Sequence, residues 1–309
     1  MSQAICRITC LGSTARDLLA RRDFVCQVFA VVSNAVYLCA KDQIIWLARN
    51  QVKHRRAMLG VFDPNAFEIG MRVEHLQFDN GIALEWKDAT VWRPTEMTPQ
   101  QLAPRELVKA RVQQLIDALQ GNPMGLPLQN YDGSLGQAIP TICAMMQGRA
   151  VTVQASNPLI RAAMEPIIEM TRACRDGDVM RAAHIGRALV GLGVGLTPAG
   201  DDFIGGMLFA TRHLKTAYPG MIAWEQKSID DLLAWARDKT NAPSYAILCD
   251  HAHGHGVDAL HDLLATLLRG AELDESILQV RRVITIGSTS GWDMLAGWLV
   301  GMLSIGVAI

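Results

Sequence analysis

An excess of charge of one sign is the first thing this 309-residue chain lacks. Its 29 Lys and Arg against 30 Asp and Glu leave a formal net charge of −1, so no global field would hold nucleic acid or an anionic membrane. Lys53-His54-Arg55-Arg56 is the one basic run, and it reads as a solvated turn after a strand. Charge of either sign is also sparse, 19% of residues against 50% hydrophobic, which excludes a disordered chain and a charge-rich coiled coil. No apolar run reaches the roughly 20 residues that span a bilayer. The most apolar stretch, Met294 to Ile309, is interrupted by three glycines and reads as a buried helix. The start MSQAICRITC lacks the charged opening and long apolar core of a signal peptide. The seven cysteines are odd in number and form no CxxC pair. Most sit among apolar neighbours, as buried thiols do in a reducing cytoplasm, which is the expected location. GxSxG and HExxH are missing too, and with them the usual hydrolase signatures.

What is present divides in two. From Phe24 to Pro94 the pattern is β: FVCQVFAVV, then AVYLCA and QIIWLA around a Lys41-Asp42 hairpin, then RVEHLQF and IALEW around Asp79-Asn80-Gly81. The Asn-Gly pair predicts a tight turn with two positive-φ positions. Short strands without intervening helices predict an antiparallel barrel or sandwich. After a polar linker, Pro104 opens a helix that Gly121 and Pro123 stop; residues 122–136 read as a loop, and the remainder as helices. The expected fold class is α+β, with a β-rich domain over 1–95 and a mainly helical domain over 96–309.

The most informative segment is Gly191-Leu-Gly-Val-Gly-Leu-Thr-Pro-Ala-Gly-Asp-Asp-Phe-Ile-Gly-Gly206. Thr197 as N-cap and Pro198 at the first position predict a helix start. Glycines feeding such a start free its amides for an anion, at the positive end of the helix dipole. The dinucleotide fingerprint fails in both registers, because Leu196 or Pro198 falls where its third glycine belongs. A Walker loop fails because Asp201-Asp202 replace its Lys-Ser/Thr. Two first-turn carboxylates repel a bare phosphate, yet they can orient a cationic or amide-bearing substrate, hold a metal, or position a base. Each has a glycine four residues on (Asp201 with Gly205, Asp202 with Gly206), so a bare stripe lies beneath it that admits a ligand or a neighbouring helix. The alternative is dipole compensation plus helix packing.

Gly287-Ser-Thr-Ser-Gly-Trp-Asp-Met-Leu-Ala-Gly297 repeats the theme. Ser290 and Asp293 have capping-box spacing, and Ser288, Thr289 and Ser290 offer three hydroxyls beside free amides. Gly297 and Gly301 would let this helix press against Gly205-Gly206. Taken together, the two motifs predict helix N-termini converging on one polar pocket, and Thr240-Asn-Ala-Pro-Ser244 is a candidate third start. His251-Ala-His253-Gly-His255 permits a metal reading, with His251 and His255 on one helical face; histidines near a helix C-terminus also gain from the dipole without metal. His184, His213 and His261 read as helix-surface residues. No metal or organic cofactor is expected.

GLGVGLTPAGDDFIGG together with IGSTSGWDMLAG resembles the bacterial family of AllH-type subunits of oxamate carbamoyltransferase, strongly over Leu189–Gly206 and Ile286–Gly301. The resemblance implies a cytoplasmic multi-subunit enzyme of allantoin breakdown that converts oxalurate and phosphate to oxamate and carbamoyl phosphate. The partners it implies are an FdrA-like large subunit and a second subunit. The motif positions are Gly193, Gly195, Thr197, Pro198, Gly200, Asp201, Asp202, Ser288, Ser290, Gly291 and Asp293. Phosphate, carbamoyl phosphate and oxalurate are small anions, the last two also carrying amide N–H groups. The expected division of labour follows: Gly193, Gly195, Gly200, Thr197, Ser288, Thr289, Ser290 and Asp293 bind substrate, while Asp202 or Asp201 is catalytic and orients or deprotonates the carbamoyl nitrogen. A non-catalytic assembly subunit is the competing reading, and a metal-dependent hydrolase a third. An open pocket at Asp201-Asp202 favours the first, and a helix interface there favours the second.

Overall fold

The structure is a computed structural model that describes residues 5–49, 52–120, 131–149 and 157–306. The chain folds as two compact units, Met1–Thr95 and Glu96–Ile309.

The first unit is built from β1 (Ile5–Gly12), β2 (Val25–Val32), β3 (Ala35–Ala40), β4 (Gln43–Ala48), β5 (Ala57–Val61), β6 (Arg72–Glu74), β7 (Gln77–Phe78), β8 (Ala83–Glu85) and β9 (Thr90–Trp92). The order β5-β4-β3-β2-β6-β7-β8-β1 closes on itself because β1 also pairs with β5, giving an eight-strand barrel among the described residues. Strand alternation fills its interior: Cys6 and Ile8 of β1, Cys26 and Val28 of β2, and Val73 and Phe78 share one core. The barrel is mixed rather than antiparallel, since β1 runs parallel to β8 and β9, and β4 parallel to β5. Parallel neighbours need connections that return the chain to the end where it started. Helix α1 (Ser13–Leu19), which the β reading omits, follows β1. The β4–β5 connection contains the basic run, and that run is no solvated turn. His54 is buried and stacks on Trp46 at 5.0 Å, Arg56 donates to the Ile44 carbonyl at 3.1 Å, and Arg55 donates to Thr14 Oγ1 at 2.7 Å.

The Lys41-Asp42 hairpin forms, with Ala40 opposite Gln43. At Asp79-Asn80-Gly81 only the glycine takes a positive φ (86°). The turn with two left-handed residues lies instead inside RVEHLQF, at His75 (49°) and Leu76 (64°), and it splits that run into β6 and β7.

The second unit contains α2 (Arg105–Gln120), α3 (Ile139–Met146), α4 (Pro158–Arg175), α5 (Val179–Gly186), α6 (Ala199–Ala217), α7 (Gln226–Ala236), α8 (Ala242–Ala252), α9 (Asp258–Leu268), α10 (Leu273–Val283) and α11 (Ser290–Met302). Most of the loop read over 122–136, and the stop at Gly121 and Pro123, lie outside the described residues; what is described there ends in a 3-10 turn, Leu135–Ala138. Helix α6 is buried from Ala199 through Thr211, and α11 from Gly291 through Met302. Helices buried on every side are the centre of a bundle, and these two pack on each other. Among the described residues no helix is long and apolar enough to cross a membrane.

Candidate functional site

Local sequence sets the first helix start. Gly191, Gly193 and Gly195 all adopt positive φ (74°, 119° and 94°), which lets residues 191–197 fold back over the first turn of α6. The cap at Pro198 has no side-chain bond; its carbonyl accepts from Asp201 N–H at 2.9 Å and Asp202 N–H at 3.2 Å. The hydroxyl of Thr197, expected to cap, is therefore directed elsewhere. It lies 2.9 Å from the hydroxyl of Ser290 at the start of α11. The two motifs, 93 residues apart in the chain, do converge.

The two aspartates face different helices. Asp201 accepts from Gly191 N–H at 2.7 Å, from Ser244 Oγ at 2.7 Å and from the Thr240 hydroxyl. It thereby ties the glycine loop to the start of α8, where Asn241 caps Ser244 N–H at 3.1 Å and donates to the Gly195 carbonyl at 3.3 Å. Four residues on, a Cβ at Gly205 would collide with the His251 ring of α8. Asp202 points to α11, and four residues on a Cβ at Gly206 would collide with the Met294 carbonyl of that helix. Gly297 abuts the Phe203 carbonyl in the same way. The bare stripes thus hold neighbouring helices; Gly206 meets α11 as expected, whereas Gly205 is taken by α8. Gly200 is equally enclosed, against the Leu189 carbonyl.

Burial decides what these carboxyls can be. Asp201 is 1% exposed and Asp202 3%, so both sit in helix interfaces rather than on an open pocket. Asp201 has three donors on its two oxygens. Asp202 has none of that support on Oδ2, which lacks a partner among the described residues. Burial, then the neighbouring Asp293, push the Asp202 carboxyl well above the usual carboxylate range; the hydroxyls of Ser290 and Thr197 pull the other way, and Asp201 adds to the rise.

At the second start, Thr289 is the cap and Ser290 the first helical residue, so the expected capping box does not form. Asp293 turns inward, is completely buried, and accepts from Leu135 N–H at 2.6 Å. Its Oδ2 also lacks a partner among the described residues. Burial raises it to about 6 against the pull of the Leu135 N–H and the Thr289 hydroxyl. The turn that supplies Leu135 also seats Tyr131 against Trp292, ring centroids 5.0 Å apart. Sequence reasoning missed this contribution, since nothing between Tyr131 and Gly136 marks it as a neighbour of α11.

The exposed part is a rim. Gly193, Val194 and Gly195 are exposed, as is Ser288, while Thr197, Thr289 and Ser290 are half-buried. The N–H groups of Gly193, Val194 and Gly195 find no acceptor among the described residues. Of the three hydroxyls at 288–290, only Ser290 reaches Thr197.

The histidines lie apart from this rim. His251 is buried against Gly205, and His253 is exposed with Nδ1 2.7 Å from the Cys249 carbonyl. His213 and His261 are not surface residues: they pack on Phe209 at 4.6 and 4.9 Å. Among the described residues no three His, Cys, Asp or Glu side chains are grouped as a metal site requires.

No curated protein and no solved structure gives a significant match to this chain. Residues 189–302, which span both glycine motifs and all three helix starts, match the family model for oxamate carbamoyltransferase subunit AllH.

Proposed function

We propose that this chain serves a carbamoyltransferase complex that converts oxalurate and phosphate to oxamate and carbamoyl phosphate, together with an FdrA-like subunit and a second partner. The match of residues 189–302 to the AllH family model supports a subunit of an oxamate carbamoyltransferase-related system. The 2.9 Å contact between the Thr197 and Ser290 hydroxyls carries the site. It brings the dipoles and amides of two helix starts to one rim, with the α8 start tied on through Asp201. The exposed amides of Gly193, Val194 and Gly195 and the hydroxyls of Ser288, Thr197 and Ser290 hold the anionic end of the ligand. Asp202 acts through the two hydroxyls and Asp201 through the loop, both as positioning residues beneath the rim.

In the reaction a phosphate oxygen attacks the carbamoyl carbon, and the bond to the oxamate nitrogen breaks as that nitrogen takes a proton. Amides aimed at the phosphate and the developing oxyanion contribute most when fixed in advance. Thermal unfolding of the chain with phosphate, carbamoyl phosphate or oxalurate tests the binding half. A ligand at a hundred times its Kd adds about 2.7 kcal/mol and raises Tm; no rise with any of the three removes the anion site. Turnover of the reconstituted complex tests the residue assignment: Asp202→Asn is expected to lower it, and unchanged turnover takes Asp202 out of the site.

The burial of both aspartates favours the second reading, a non-catalytic assembly subunit. Gly205, Gly206 and Gly297 are filled by the chain's own helices, so a partner would have to dock elsewhere. Retained turnover in a complex lacking this chain would decide for that reading.

A further inference from the structure

Beneath the rim lies an arrangement that the anion reading leaves unused. Helices α6 and α11 pack closely along their lengths: Gly206 abuts Met294, Phe203 abuts Gly297, and Met207 abuts Gly301. Those contacts place Asp202 and Asp293 in one enclosed space, each with a buried oxygen that has no partner among the described residues. The charged groups acting on Asp202 are Asp293 from α11 and Asp201 from its own helix, both acidic. Among the described residues, no cation from the other elements packed on α6 acts on Asp202. From α8 come the Thr240 and Ser244 hydroxyls, spent on Asp201, and His251 a turn further on at Gly205. Helix α5 meets α6 through Gly186 and Ile204, and the turn before α3 offers the Leu135 N–H to Asp293. Two carboxylates so placed cannot both ionise at low cost.

We infer that Asp202 and Asp293 hold one proton between them at neutral pH, and that this proton sets the direction of the Thr197–Ser290 hydroxyl pair. The inference rests on the anion-binding reading for its consequence, though not for its test. Counting hydrogens gives the direction. Asp202 meets both hydroxyls, and the hydroxyls meet each other. With Asp202 ionised the two hydroxyl hydrogens are drawn inward to the carboxylate and the rim is left with lone pairs, which repel an anion. With Asp202 protonated there are three hydrogens. The carboxyl donates to one hydroxyl, that hydroxyl to the other, and the last hydrogen is free to point outward as a donor. Two acidic residues under an anion site then become compatible with it.

The test uses the whole chain and reads the proton directly. Infrared spectra at pH 7 are expected to contain a protonated-carboxyl C=O band that Asp202→Asn removes. In Asp293→Asn the neighbouring charge is gone, so the same band is expected to titrate away about one pH unit or more lower. Absence of the band in the unsubstituted chain at pH 7, its survival in Asp202→Asn, or an unmoved midpoint in Asp293→Asn overturns the inference. If either variant fails to fold, the band and its pH titration in the unsubstituted chain still decide. Thermal shifts with inorganic phosphate across the same pH range separate the two readings. Stabilisation by phosphate without the band leaves the anion site standing and ends the shared proton. The band without any phosphate effect does the reverse.

Discussion

Asp293 is raised from the ordinary aspartate value of 3.8 to about 6 by burial, and that makes stability depend on pH in a definite direction. Between those two values the folded chain holds a proton that the unfolded chain releases. The associated stability is complete below about pH 4 and is lost as pH rises through about 6. Asp293→Asn has no such proton and keeps an acceptor for Leu135 N–H. Denaturant unfolding at stepped pH should therefore show the variant gaining on the parent by roughly 3 kcal/mol between pH 4 and 7; parallel curves would contradict this. Asp201 matters through its hydrogen bonds, since both of its oxygens are satisfied. Asp201→Ala strands the Gly191 amide and the Thr240 and Ser244 hydroxyls, and a loss of about 3 kcal/mol or more in unfolding free energy is expected.

Between elements, α6 and α11 approach closely enough to exclude a methyl group. Gly206→Ala and Gly297→Ala put a methyl group into the Met294 and Phe203 carbonyls respectively, and backbone cannot yield as a side-chain tip can. Each should cost about 3 kcal/mol or more, measured as a lowered denaturation midpoint. Gly195→Ala is the control: nothing lies within 4 Å of its would-be Cβ, and only the φ of 94° resists it, a cost of about 1 kcal/mol. Near-equal losses at Gly195 and Gly206 would mean that the α6–α11 packing leaves room for a methyl group. The helix starts were legible because Pro, Gly, Thr and Asn act locally, as at residues 240–244 and at Ser290. The direction of each side chain was not, because Thr197 and Asp293 have local bonds available and tertiary partners took them. The mixed barrel was illegible for a similar reason: β1 carries no mark of which strands will flank it.

For the molecule as a whole, each unit has its own core, the barrel interior in one and the α6–α11 packing in the other. Residues 96–309 made alone are expected to unfold in one cooperative transition and to retain any phosphate stabilisation shown by the full chain. Aggregation or a broad, non-cooperative melt would show that the helical unit needs residues 1–95. The cysteines bear on handling of either product. All seven are free, and burial lifts Cys6 to about 11 and Cys26, Cys143 and Cys174 to about 12, so these four resist alkylation until the chain opens.

The order in which the helices leave the ribosome matters for this molecule. Thr197 is made 93 residues before the serine it touches, so the nascent chain carries α6 with an uncovered glycine-lined groove until its last described helix emerges. That groove is filled only once Ser290–Met302 has been made, and a chain stalled before Ser290 would present a greasy, unfinished surface to chaperones and proteases.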